Sequence, residues 1–98
     1  MKTGRIPSPE TAEIMAVQAL AFIAEEPERL AAFLNAAGID PAVIRDAARE
    51  PRFLAGVLEH MLADESLLMA YAGSTGIDPA AVAQARRALG RIWERDVP

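Results

Sequence analysis

Gly38-Ile39-Asp40-Pro41-Ala42 and, 38 residues further on, Gly76-Ile77-Asp78-Pro79-Ala80 are the stretches on which the reading of this chain turns. Each step of this signature has a mechanical meaning. Glycine takes the left-handed conformation that ends a helix, and the isoleucine after it packs back on the last turn. Aspartate accepts from the first free N–H groups of the next helix, and proline presets that helix's first φ where its missing N–H is not needed. Ile39 with Ile44, and Ile77 with Val82, stand at the spacing of a hydrophobic staple. The pentapeptide is therefore a sharp helix-to-helix corner, and it occurs twice. Capping accounts for Asp40 and Asp78 without any catalytic or metal role.

The likeness extends outward from the corners. Leu30, Ala32, Ala47 and Arg49 recur as Leu68, Ala70, Ala85 and Arg87, so nine of the twenty pairs from Leu30/Leu68 to Arg49/Arg87 are identical, against roughly two by chance at a fixed offset. Phe33/Tyr71 and Ile44/Val82 are conservative matches in the same frame. Proline or aspartate marks the other helix starts at Ser8-Pro9, Glu26-Pro27, Glu50-Pro51 and Asp64-Glu65. Alanine fills 21 positions and no stretch alternates apolar with polar over strand length, which predicts an all-α fold. Six helices are expected, at about 9–24, 27–37, 41–49, 51–63, 65–75 and 79–95. They form a compact bundle of two related three-helix halves, about 9–49 and 51–95, after a flexible lead over residues 1–7. The first helix is apolar around most of its circumference through Ile14, Met15, Val17, Leu20, Phe22 and Ile23, which predicts that it runs through the centre. Ninety-eight residues suit one such domain and not two.

Composition narrows the function. There is no cysteine, so disulfides and thiolate metal sites are excluded and a reducing, cytoplasmic setting is expected. Fourteen acidic against ten basic residues give a net charge of −4, which disfavours general attraction to nucleic acid or anionic membrane. The apolar run from Ala12 to Ala24 is 13 residues long, short of the roughly 20 that span a bilayer. The lone His60 stands one turn before Asp64, but two ligands make an incomplete metal site, and a surface histidine beside a helix-end carboxylate is the plainer reading. Ser8, Ser66 and Ser74 have no histidine beside them in sequence, and no glycine-rich phosphate loop occurs. No enzyme activity, cofactor or metal is expected.

The run Thr11-Ala12-Glu13, then Gln18-Ala19-Leu20-Ala21-Phe22, Glu26-Pro27-Glu28-Arg29-Leu30, Phe33-Leu34, Phe53-Leu54, Val57-Leu58, Leu62-Ala63-Asp64-Glu65 and both corners resembles the short bacterial proteins of domain-of-unknown-function family 3572. The similarity covers about Thr11 to Leu89. It implies a small multihelical protein and assigns no activity, substrate, cofactor or site residue.

Two classes of function follow. The first is a non-enzymatic protein–protein interaction module, with an unidentified protein partner or a second copy as its target. Its interaction face is expected at Arg87, Arg91 and Trp93, where one charged row runs beside the only tryptophan; the plainer reading has Trp93 closing the core and the arginines as helix-end charge. The alternative is a helix-turn-helix DNA-binding protein, since Phe33 to Arg45 has the outline of that motif. The first turn of the would-be reading helix holds Pro41, Ala42 and Val43, or in the second copy Pro79, Ala80 and Ala81. None of these offers a side-chain donor to a base.

Overall fold

A computed structural model describes the backbone of residues 7–96 and the side chains of residues 7–90. The expectation of a flexible lead, apart from Pro7, and the side chains of Arg91 and Trp93 lie outside the described residues. Six α-helices follow in order: α1 (Pro9–Ala24), α2 (Pro27–Ala37), α3 (Ile44–Ala47), α4 (Pro51–Ala63), α5 (Glu65–Thr75) and α6 (Pro79–Asp96), with a 3-10 turn at Pro41–Val43 leading into α3. The fold is all-α, as the capping pattern predicts.

Four helix starts are closed by a side chain. The Ser8 hydroxyl accepts from Thr11 N–H at 3.2 Å, Asp40 from Ala42 N–H at 2.9 Å, Asp64 from Leu67 N–H at 3.1 Å and Asp78 from Ala80 N–H at 2.9 Å. Glu26 and Glu50 make no such bond. There the proline alone sets the start, by holding the preceding residue extended and its own φ helical.

Both corner glycines are left-handed, Gly38 at φ 68° and Gly76 at φ 77°. The correspondence between the two halves is local to these corners. Beyond Gly76 the chain runs straight into the eighteen residues of α6. Beyond Gly38 the expected helix 41–49 is instead the 3-10 turn and the four residues of α3. The physical reason is twofold. Neither short piece has a buried residue to reward a longer helix, and Pro51 holds Glu50 extended at φ −95°, ψ 125°, so a helix cannot continue through it.

Helices α1, α4 and α6 pack on one another to form the centre, α2 leans on α1, and α5 on α4 and α6. The contact faces of α1 and α6 are rich in alanine: Ala12, Ala16 and Ala19 on α1 are fully buried, as are Val82, Ala85 and Leu89 on α6. Small residues at successive turns let helix axes approach closely, and Ile23, Leu58, Met61 and Tyr71 fill the remaining volume. The Phe22 ring meets Tyr71 edge-on at 5.4 Å and carries the Arg29 guanidinium 4.5 Å from its centroid. With extents of 38 × 37 × 18 Å the molecule is a slab about two helix layers thick.

Helix α1 packs into the centre with α4 and α6, as its apolar circumference predicts, but by one face only. Its Ala12, Ala16, Ala19 and Ile23 face is buried, but Ile14 and Val17 on the opposite face are 59 % and 47 % exposed.

Candidate functional site

A groove of about 710 Å3 lies between α2 and α4. Its walls follow from the corner at Gly38. By ending α2 sharply, the corner brings Ile39 back beside Phe33, Ala36 and Ala37, and these line one side. Phe53, Gly56 and His60, spaced three and four residues apart, line the other because they share one face of α4. Phe33 is 2 % exposed and forms the floor. Its ring is met edge-on by Phe53 at 5.7 Å and by His60 at 5.1 Å. Edge contacts of this kind, worth about 0.5–1.5 kcal/mol each, favour this arrangement of the three rings. Glu50, Arg52 and Glu59 stand at the rim. Glu59 is paired with Arg86, whose Nε donates to Glu59 Oε2 at 2.7 Å, which ties α4 to α6 beside the groove.

Glycines stand inside helices at Gly56, at Gly73 on α5 and at Gly90 on α6, and Gly56 is the one that lines this groove. A glycine in a helix interior costs about 1 kcal/mol relative to alanine. Here no packing demands it, because a Cβ on Gly56 would meet nothing within 4 Å. Its effect is to leave open the stretch of α4 wall between Phe53 and His60.

His60 is half-buried and also borders a smaller depression lined by Asp64 and Ser66. It lies at the surface near the helix-end carboxylate of Asp64, and it also lines the groove. Those three polar groups share a surface, yet no hydrogen bond joins them among the described residues, and the Asp64 carboxylate is engaged in capping α5. Among the described residues no three His, Asp or Glu side chains gather closely enough to hold a metal ion.

Arg87 is exposed on α6 and does not line the groove. Arg45 and Arg49 are exposed too, but on and just after the short α3. The site that the sequence reading missed, Phe33 with Phe53 and His60 around Gly56, did leave one signal: a glycine midway along an apolar helix with no turn to serve. No helix among the described residues is long and apolar enough to cross a membrane.

No curated protein and no solved structure matches this chain. The family model described as protein of unknown function (DUF3572) matches residues 9–91, the whole of α1 to α5 and most of α6, so the chain belongs to that family.

Proposed function

We propose that this protein is a non-enzymatic interaction module whose α2–α4 groove receives an apolar anchor, an aromatic or large aliphatic side chain, from a partner polypeptide. The observation that carries the reading is Gly56: a helix-interior glycine, sterically unforced, lying open in the wall of an aromatic-lined groove. The groove has the composition of an anchor site, with apolar walls and a few charges confined to the rim. A cytoplasmic setting is part of the proposal and rests on the cysteine-free composition.

The test uses the groove itself. Gly56→Leu fills it from the α4 wall, and it adds a better helix former at an open position. The tagged protein and this variant are compared for what they retain from native lysate through high salt. A protein retained by the parent and lost with Gly56→Leu supports the reading. The same recovery from both removes it.

The DNA-binding alternative draws little from the two corners. After Gly38 the would-be reading helix is four residues long. After Gly76 it is α6, whose Val82, Ala85, Ala88 and Leu89 are committed to the core. The face at Arg87, Arg91 and Trp93 stays a separate proposal from the sequence. Replacing Arg87 and Arg91 together by alanine tests it, with loss of partner recovery supporting it and unchanged recovery removing it.

A further inference from the structure

The α2–α4 groove does not end at His60. On the far side of that ring lies the smaller depression, about 350 Å3, bordered by Glu28 and Ala32 of α2 and by Asp64 and Ser66. The two hollows share His60 and follow the same two helices, which run antiparallel. Ala37 at the end of α2 lies opposite Phe53 near the start of α4, and Glu28 at the start of α2 opposite Asp64 just past the end of α4. Together they make one trough whose length along α4, from Arg52 to Asp64, is about 18 Å or three helical turns. The half at Phe33, Phe53 and Gly56 is apolar, and the half beyond His60 is polar.

We propose that this trough receives a short amphipathic helix with basic flanks from a partner protein. Its apolar side chains sit in the Phe33–Phe53 half, and its lysines or arginines face the carboxylates around the trough. This names the partner of the groove and rests on the docking reading above. The first argument is the backbone. The walls are helices whose own N–H and C=O groups are already paired, so an extended segment would find no ladder to join, whereas a helix arrives with its backbone bonded internally. The second argument is charge. Four carboxylates border the trough, Glu28, Glu50, Glu59 and Asp64, against two guanidiniums, Arg29 and Arg52. Glu59 is held by Arg86, and Arg29 lies over the Phe22 ring. Glu28 and Glu50, one at each end, are exposed and make no ion pair with a described residue. A helix with basic flanks meets both, and an acidic one is repelled at both ends. A nucleic acid, anionic along its whole length, is refused by the same carboxylates.

The probes are three fluorescently tagged peptides of roughly 14 residues, near the length at which an isolated helix begins to form. All carry leucine or phenylalanine at positions i, i+3, i+4 and i+7. One has lysine at the flanking positions, one has glutamate there, and the third equals the first but for a central proline that forbids a helix. Titrated into the full chain, the lysine peptide should bind at least about tenfold more tightly than either of the others. The ring resonances of His60, the only histidine, should shift with it. Glu28→Gln with Glu50→Gln should bring the lysine and glutamate peptides to within about threefold of each other. Gly56→Leu, which leaves the charge unchanged, should abolish binding of the lysine peptide. Equal binding of the lysine and glutamate peptides, equal binding of the proline peptide, a preference that survives Glu28→Gln with Glu50→Gln, or no binding up to about 1 mM would each overturn the basic helix as occupant. The groove reading would then stand or fall separately, on whether a lysate protein is still lost with Gly56→Leu. Binding of the lysine peptide that survives Gly56→Leu, or that leaves His60 unshifted, would place it elsewhere on the surface and overturn the inference as well.

Discussion

Gly38 and Gly76 end their helices in the same left-handed conformation, but the chain closes behind them with different bonds. At Gly38 the Ile39 N–H reaches Leu34 O at 3.1 Å and the Gly38 N–H reaches Asn35 O at 3.3 Å, the paired closure of a Schellman turn. At Gly76 one bond remains, Gly76 N–H to Ala72 O at 2.8 Å. Thr75 replaces the missing one: its hydroxyl donates to Tyr71 O at 2.8 Å and accepts from Ile77 N–H at 3.4 Å. Alanine holds the corresponding place, Ala37, in the first corner. Thr75→Ala should therefore lower stability by about 1 kcal/mol, the net worth of a typical internal hydrogen bond. Ala37→Thr should show no equivalent gain in denaturant unfolding. Gly38→Ala and Gly76→Ala should each cost about 1–2 kcal/mol, since both force a Cβ into the left-handed region. These corners were fully legible in the sequence, because each residue acts on its immediate neighbours. The Thr75 relay was not, because it depends on which of two closures the backbone adopts.

Tyr71 shows the same limit in the core. It matches Phe33 of the first half and reads as an apolar residue, and it is indeed fully buried, but its hydroxyl has no hydrogen-bond partner among the described residues. Burial raises its pKa above the ordinary 10.0 by penalising the phenolate. The sign of the linkage follows. Above pH 10 the unfolded chain loses this proton while the folded one keeps it, so stability present below pH 10 falls as pH rises toward the folded-state pKa. Tyr71→Phe should match or exceed the parent in stability at pH 7, because it removes an unpaired buried polar group, and should abolish the alkaline decline. Tyr71 is the only tyrosine, so the tyrosinate absorbance reports it alone.

At the scale of elements, the proline and aspartate junctions made nearly every helix boundary readable, and the exception is instructive. The segment 41–49 has good caps and fair propensity, yet short helices depend on burial, and no residue of its 3-10 turn or α3 is fully buried, Ile44 being only partly covered. Amide exchange across Pro41–Ala47 should accordingly be orders of magnitude faster than in α4 or α6. Helix α1 shows a different limit. Periodicity detects that both of its faces are apolar but cannot tell which one turns inward. The buried face is the alanine-rich one because it is the one that admits α4 and α6 closely. On α4, Gly56→Leu should raise stability by about 0.8 kcal/mol, the difference in helix propensity, seen as a melting temperature several degrees higher. A fall would mean that Gly56 serves packing after all.

At the scale of the whole molecule, the two sequence halves do not form two structural units. The central layer is built from α1 of the first half and from α4 and α6 of the second, so the halves share one core. Unfolding should be a single cooperative transition. A fragment of residues 1–50 should show little helical circular dichroism alone, since α1 would expose Ala12, Ala16, Ala19 and Ile23 together with its outer face. The all-α class was legible because it sums local signals. The groove was not, because Phe33 and Phe53 lie on different helices and nothing in their spacing announces that the rings meet at 5.7 Å. The central claim is that this groove docks a partner, and the most direct measurement compares the parent and Gly56→Leu side by side in native lysate at high salt. The account predicts a partner protein retained by the parent and released by a variant that is at least as stable. Identical recovery from the two proteins would contradict it.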